Sequence, residues 1–343
     1  MKVITPAAYF TDLTYSDYAL LDVRSPGEFT QGKLPRAQSL PLFSDAERAE
    51  VGTLYKRTGQ DEALLRGLEI AGGKMRWLVE EARRLCPSGK VVVHCWRGGQ
   101  RSGSVSWLLE KAGLEVTQMS GGYKAARQYI RTYFAECPHR FRVLSGPTGS
   151  GKTPVLLAMA LRGANIIDLE GIANHKGSAF GGIGELPQPS SEEFENQVFA
   201  QLNRLPKGAT VWLEDESRLI GRVFLSEEFY QRLVDAPVVE LQQPIEWRVD
   251  RLVDLYGAYP TEELAAAFSR IRKKLGGQNL NLAIEALENG DIATAARVAL
   301  VYYDKAYAYY GERRNANIVE TIVAGSPVAA SVAKQILSVA YGE

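Results

Sequence analysis

The sequence has few of the residues on which small stapled or metal-held proteins depend. Of 343 residues only three are cysteine, at positions 86, 95 and 137, and three are histidine. The cysteines are too scattered for a disulfide framework, and none forms a CxxC pair or a Cys/His cluster of metal-site spacing. A reducing cytoplasm is the expected location. No apolar run approaches the roughly 18 residues of a membrane span, and the opening MKVITPAAYFTDL lacks a sustained apolar stretch of the export type. No membrane partner is expected. Charge of one sign is lacking too: 40 Lys and Arg balance 40 Asp and Glu, so any anion site has to be local. Repeats and low-complexity segments are absent, which excludes solenoids and arrays.

What is present is ordinary globular material, with 45% hydrophobic and 23% charged residues. At about 100 to 200 residues per domain the length predicts two domains. Short apolar runs bounded by turn residues read as strands at YALLDV from Tyr18, at KVVVH over 90–94, at FRVLS from Phe141, at ANIIDL over 164–169, at ATVWLE over 209–214 and at APVVEL over 236–241. Helical spacing marks 75–85, 104–113 with Gly113 as its stop, 244–256, 261–275 and 291–310. Strands alternating with helices predict α/β domains with mainly parallel sheets, and the C-terminal third reads as largely helical. The boundary falls near residues 137–140, giving domains over 1–137 and 138–343.

Two turns carry chemistry. In the first, His94-Cys95-Trp96-Arg97-Gly98-Gly99-Gln100-Arg101-Ser102 follows one strand and opens one helix. Backbone amides in such a loop can surround an anion, the helix N-terminus adds positive potential, and Arg101 can fork two oxygens. The same field favours the thiolate of Cys95, the nucleophilic form. Cys95, Arg97 and Arg101 are therefore the candidate catalytic residues, with Gly98, Gly99 and Ser102 shaping the anion loop. Cys86, closing a helix before Pro87, and Cys137, in the linker, have no such cradle and are expected to be dispensable.

The second turn, Gly146-Pro147-Thr148-Gly149-Ser150-Gly151-Lys152-Thr153, matches GxxxxGK[ST] between a strand and a helix. Gly146, Gly149, Ser150, Gly151 and Lys152 can cradle a pyrophosphate, and the Thr153 hydroxyl can hold magnesium. Glu214, Asp215 and Glu216 end an apolar strand and are candidate acidic partners to such a metal, with Asp168 a further one. The residues leave open whether this turn holds a nucleotide or another phosphate-bearing ligand.

The run Asp22-Val23-Arg24-Ser25-Pro26-Gly27-Glu28-Phe29, the Cys95 loop and Ser120-Gly121-Gly122-Tyr123 resemble a rhodanese domain over 1–137. That resemblance implies an α/β fold whose cysteine carries a transferable chalcogen, with Asp22 and Arg24 supporting the loop. The HCx5R spacing is one residue longer than in many sulfur-transferring rhodaneses and also resembles cysteine phosphatases of the same fold, so a larger, phosphate-like anion is expected. A rhodanese-like domain followed by a P-loop NTPase-like domain resembles, over the whole chain, the bacterial tRNA 2-selenouridine synthase family. His175-Lys176-Gly177-Ser178-Ala179-Phe180-Gly181, Gln188-Pro189 and Glu214-Asp215-Glu216-Ser217-Arg218 support the match. The resemblance implies replacement of sulfur by selenium in wobble 2-thiouridine of tRNA, with selenophosphate as selenium donor and geranyl diphosphate first alkylating the sulfur. A rhodanese-fold cysteine phosphatase with an NTPase module is the alternative enzyme, and an NTP-regulated binding module the non-enzymatic one.

Contact with tRNA is least determined. Candidate segments are the basic stretch 66–101, Ser269-Arg270-Ile271-Arg272-Lys273-Lys274, and Gly311-Glu312-Arg313-Arg314-Asn315, with Tyr302, Tyr303, Tyr307, Tyr309 and Tyr310 as stacking faces. The same runs also fit solvated helix faces, and the tyrosines, at helical spacing, also fit a core. His175 fits a loop residue or a ligand contact equally. Oligomeric state is not legible.

Overall fold

The computed structural model describes residues 1–311 and 317–341. The chain divides into two compact units. The first is Met1–Glu136 together with Glu195–Asn203, and the second is Cys137–Phe194 with Arg204–Glu343. The short stretch Glu195–Asn203 lies far along the sequence from the rest of the first unit, so a single cut after residue 137 does not describe it.

The first unit is built on five parallel strands, β1 (Lys2–Ile4), β2 (Ala19–Asp22), β3 (Ala37–Ser39), β4 (Lys90–His94) and β5 (Glu115–Met119), in the order β1-β5-β4-β2-β3. The expected strands YALLDV and KVVVH are two of the three inner ones, and their near-continuous apolar sequence is that of parallel strands covered on both faces. Two helices over Asp45–Arg57 and Gln60–Gly72 precede the expected one at Met75–Leu85. The helix Pro26–Gln31 starts at a capping box between Ser25 and Glu28, with Pro26 in the first turn. Register sets Asp22 opposite His94 at the carboxyl ends of β2 and β4, one residue before Cys95.

Support for that end of the sheet is a buried ion pair. Arg24 Nη2 lies 2.6 Å from Asp22 Oδ2, Arg24 Nε lies 3.0 Å from both carboxylate oxygens, and Nη2 also donates to the Gly32 carbonyl at 2.7 Å. The guanidinium covers the Tyr123 ring at 3.7 Å. Tyr123 in turn takes a hydrogen bond from Asn196 Nδ2 at 3.1 Å, and Arg127 donates to Asn196 Oδ1 at 2.7 Å and pairs with Glu195. These contacts account for the stretch Glu195–Asn203 belonging to the first unit.

The second unit carries β6 (Arg140–Ser145), β7 (Asn165–Ile167), β8 (Thr210–Glu214), a small antiparallel pair β9 (Leu219–Ile220) and β10 (Val223–Phe224), then β11 (Val238–Gln242) and β12 (Ile318–Val323). The main sheet is parallel in the order β12-β11-β6-β8-β7. Chain order reverses about β6, and the carboxyl end of such a strand is where open α/β sheets bind ligands. ANIIDL is a strand only to Ile167. Asp168 then caps the helix Leu169–Ala173 by accepting from the Gly171 amide at 2.7 Å. The expected helix 261–275 is broken at Ile271 into Thr261–Arg270 and Arg272–Leu275. The largely helical C-terminal third also contains β12, a sheet edge. Among the described residues no helix is long and apolar enough to cross a membrane.

Removing one member of the Asp22–Arg24 pair leaves a charge buried without its partner. Such losses cost about 3 to 5 kcal/mol. Asp22→Ala, which strands Arg24, and Arg24→Met, which strands Asp22, are each expected to destabilise the first unit by that order in urea unfolding. Equal stability of Asp22→Ala and the parent would contradict this account.

Candidate functional sites

Each unit places one anion cradle at the carboxyl end of its sheet. In the first, β4 runs into the Cys95 loop and the helix Gln100–Lys111 begins at Gly99. Gly98 has φ +67°, and a Cβ there would meet the Met119 carbonyl at 2.6 Å; a Cβ on Gly122, at φ +56°, would meet the Cys95 carbonyl at 2.3 Å. The two glycines let the loop and the Gly121-Gly122 turn pack backbone to backbone. Hydrogen bonds from the Tyr123 and Lys124 amides to the Cys95 and Trp96 carbonyls, at 2.8 and 2.9 Å, close the contact.

The Cys95 sulfur is buried 3.3 Å from the Ser102 hydroxyl. That hydroxyl donates to the Gly99 carbonyl at 3.1 Å and accepts from Gln118 Nε2 at 2.9 Å, so its one proton can be turned between the carbonyl and the sulfur. Burial pushes the thiol up, but the Ser102 hydroxyl, the Ser102 and Arg97 amides and the Arg101 charge outweigh it and hold the thiol below its ordinary value. The Arg97 side chain is exposed, and its amide is the part directed at the sulfur. Arg101 is engaged: its Nη1 and Nη2 donate to Glu28 at 2.6 and 3.3 Å. Glu28 and Gln118, neither of them suggested by the sequence pattern, are thus components of this site. Gly99 opens the helix on exposed backbone.

In the second unit Gly146, Gly149 and Gly151 have φ of +159°, +80° and +78°. A Cβ at Gly151 would run into the Arg251 guanidinium at 2.7 Å. The loop is held from outside by two arginines of the helix Ile245–Tyr256: Arg248 donates to the Thr148 carbonyl at 2.9 Å and Arg251 to the Gly149 carbonyl at 2.7 Å. Arg248 is itself buried against Asp304. Ser150 is buried, and Lys152 and Thr153 open the helix Lys152–Ala160.

The loop lines a cleft of about 920 Å³, to which Lys152, Thr153, Asp168, Asp215 and Glu216 contribute. Burial alone would strip the Lys152 proton, but Glu170, Glu216, Asp215 and Glu214 around it raise its affinity above the ordinary lysine value. Thr153 Oγ1 donates to Glu170 Oε2 at 2.9 Å. Glu216 is pushed well up by burial and by Glu170, while Asp215 accepts from Ser145 Oγ at 2.7 Å. Glu214 stands apart from the cleft lining: it is fully buried, accepts the Leu169 amide at 3.1 Å, and is pushed up to about 8 by burial and by Asp168 and Glu170. Glu170 is the acidic residue that sequence reasoning missed. Among the described residues no group of three or more His, Cys, Asp or Glu is arranged to hold a metal ion.

His175 lines the same cleft, with burial lowering its basicity. Tyr303 and Tyr307 line it as well: the Tyr303 hydroxyl accepts the Ala179 amide at 3.0 Å, and the Tyr307 hydroxyl joins Ser145 Oγ at 3.0 Å to Glu240 Oε1 at 3.1 Å. These two are therefore cleft walls rather than free stacking faces. Tyr302 packs against the helical core, Tyr309 is exposed, and the Tyr310 side chain lies outside the described residues. Arg272, Lys273 and Lys274 are exposed, and in the run 311–315 residues 312–315 lie outside the described residues. A narrow second cavity of about 40 Å³, almost wholly apolar in lining, adjoins the cleft and shares Thr148, Ser178, Leu252, Tyr256 and Tyr303 with it.

Two expectations test this electrostatic picture. In a Cys86→Ser, Cys137→Ser background, thiolate absorbance should titrate below an ordinary cysteine, and Ser102→Ala should move the midpoint up; an unmoved midpoint would remove Ser102 from the account. For Glu214, a folded value near 8 against a lower unfolded one means that the folded state holds the extra proton, so stability falls as pH rises from the unfolded value toward about 8. Glu214→Gln can still accept the Leu169 amide and should gain stability over the parent progressively across that window. A constant offset at all pH values would count against it.

Comparison with known proteins agrees with this layout. A family profile described as "Rhodanese-like domain" matches residues 8–128, and one described as "tRNA 2-selenouridine synthase AAA domain" matches residues 139–335. A protein of Marinobacter nauticus named tRNA 2-selenouridine synthase is 36% identical over 93% of this chain and 94% of its own. Proteins of the same name from Shewanella sediminis and Bdellovibrio bacteriovorus are 34% and 35% identical, over 92% and 90% of this chain and 94% and 93% of theirs. With a cysteine cradle on a rhodanese-like unit, a phosphate loop on the second, and relatives alike from end to end, the chain belongs to the tRNA 2-selenouridine synthase family.

Proposed function

We propose that this protein converts wobble 2-thiouridine of tRNA to 2-selenouridine in two steps served by the two cradles. In the first, the Gly146 to Thr153 loop holds the diphosphate of geranyl diphosphate. The thiocarbonyl sulfur of the nucleoside attacks the allylic carbon, the carbon–oxygen bond breaks and pyrophosphate leaves. Lys152 faces the charge that grows on that leaving group, where a fixed cation is most effective. In the second, selenophosphate sits in the Cys95 loop, whose HCx5R spacing suits a tetrahedral anion; the Cys95 thiolate takes the phosphoryl group as the phosphorus–selenium bond breaks, the selenide so freed attacks C2 of the S-geranyl nucleoside, the carbon–sulfur bond breaks and geranylthiol leaves, and water then releases phosphate from the cysteine. The observation that carries this reading is the pairing, in one member of this family, of an acidified thiol in an anion loop with a lysine-bearing loop whose cleft opens on an apolar slot. A nucleobase would leave polar edges unpaired in such a slot, which favours the geranyl donor over a nucleotide.

Magnesium, where bound, would neutralise diphosphate charge. Thr153 Oγ1 with Glu170 and Asp215 are the oxygen donors lining the cleft that suit a hard cation.

The test is mass analysis of nucleosides from 2-thiouridine tRNA incubated with the protein, geranyl diphosphate and selenophosphate. Cys95→Ala is expected to stop at the S-geranyl nucleoside. Lys152→Ala should slow geranylation by about a hundred- to thousandfold, the effect of deleting one preorganised donor to a developing anion, yet still convert pre-geranylated tRNA. Loss of both activities in folded Cys95→Ala would end the division of labour. Release of phosphate from an aryl phosphate, without any selenium product, would favour the cysteine phosphatase instead.

A further inference from the structure

We infer that the apolar slot beside the phosphate loop receives the hydrocarbon tail of the diphosphate donor, and that alanines of the helix Ile292–Gly311 with Leu287 set the length of tail admitted. This rests on the reading that the loop holds an allylic diphosphate.

The slot is continuous with the phosphate loop. Thr148 belongs to the phosphate loop itself and lines both the cleft and the slot. A ligand with its phosphates on that loop therefore has its other end at the mouth of the slot. The mouth offers little to a polar ligand: the Tyr303 hydroxyl is taken by the Ala179 amide, and the Tyr256 hydroxyl bonds Ser178. Past the mouth the walls are Phe268, Leu287, Ile292, Ala295, Ala296 and Ala299, with no charged side chain. An amide edge or ribose hydroxyl placed there would lose water without a replacement partner, whereas a hydrocarbon chain would lose nothing. At about 40 Å³ beside a cleft of about 920 Å³, the slot suits a thin, flexible chain rather than a ring system.

The slot exists because of small side chains. Ala295 and Ala299 are one helical turn apart, with Ala296 beside them, on the helix that forms one wall. Phe268 is locked edge-on against Phe180, ring centroids 4.9 Å apart, so that wall is stiff. Leu287, contributed by the helix Gly277–Glu288, is one of the large aliphatic side chains lining the slot, and its truncation would enlarge the space.

Calorimetric titration of the full chain with inorganic pyrophosphate, geranyl diphosphate and ADP tests the assignment. Geranyl diphosphate should bind at least about tenfold tighter than pyrophosphate, since burial of even two methylenes is worth that much, and ADP should gain no such advantage. Ala299→Leu and Ala296→Leu fill the slot and should erase the geranyl advantage while leaving pyrophosphate affinity as it was. Pyrophosphate binding doubles as the check on folding, and half-exposed Ala296 tolerates the change if Ala299 does not. Leu287→Ala should shift preference toward the longer farnesyl diphosphate by several-fold; an unshifted preference would remove Leu287 from the length-setting role. If the geranyl advantage survives both leucine variants, the tail lies elsewhere and the slot assignment fails while the donor reading stands. If the parent protein shows no geranyl advantage, or ADP holds it instead, the donor reading itself fails and the slot assignment with it.

Discussion

The ammonium of Lys152, set in the lining of the cleft, fixes the terms for the second unit. The phosphate loop brings this side chain to the cleft lining, where burial by itself lowers its hold on a proton. Four carboxylates prevent that, led by Glu170 and Glu216. The carboxylates are then too close to one another to be comfortable as anions, and burial plus mutual repulsion push Glu216 and Glu214 upward. Thr153, Ser145 and the Leu169 amide each donate to one member of the group and fix its geometry. Lys152, Glu214 and Glu216 thus all hold their protons more tightly than such groups ordinarily do.

The first unit solves a related problem with different residues. Arg101 stands at the start of the helix that follows Cys95, and its charge is met by Glu28, which also closes the capping box of its own helix. Both cradles therefore hold an internal carboxylate against the cation meant for a ligand. In the proposed function an entering anion would compete with that carboxylate, and phosphates and diphosphates, with their high charge density, are suited to do so. The thiol is treated separately. Ser102 and backbone amides stabilise its charge, and Arg101 acts on it only as the last of several influences.

Much of this was legible in the sequence because it is local. Both turns sit where the strand and helix patterns place them, and Cys95, Arg101, Ser102, Lys152 and Thr153 are fixed by contiguous motifs. What was not legible depends on distant chain. Glu28 reaches Arg101 across 73 residues and Arg251 reaches Gly149 across 102, with no spacing rule to join them. Glu170 was hidden because ANIIDL reads as one strand, whereas Asp168 ends the strand by capping a helix and so turns Glu170 toward Thr153. The edge strand Ile318–Val323 was hidden because a predominantly helical stretch surrounds it, and only its parallel pairing with β11 gives it identity.

The two units share one structural device and differ in what they mount on it. In each, a parallel strand delivers its last residue to the carboxyl edge of the sheet, a glycine-rich turn bares amides, and a helix begins. The first residue after β4 is a thiol, placed where a nucleophile would meet an anion bound by the loop. After β6 the corresponding positions are glycine and proline, and the charged side chain of the motif, Lys152, comes later, at the helix start. In the proposed function the first site serves chalcogen transfer and the second the departure of a leaving group. Neither motif repeats the other's reactive side chain, the first having no lysine and the second no thiol, so a reaction that draws on both draws on both units.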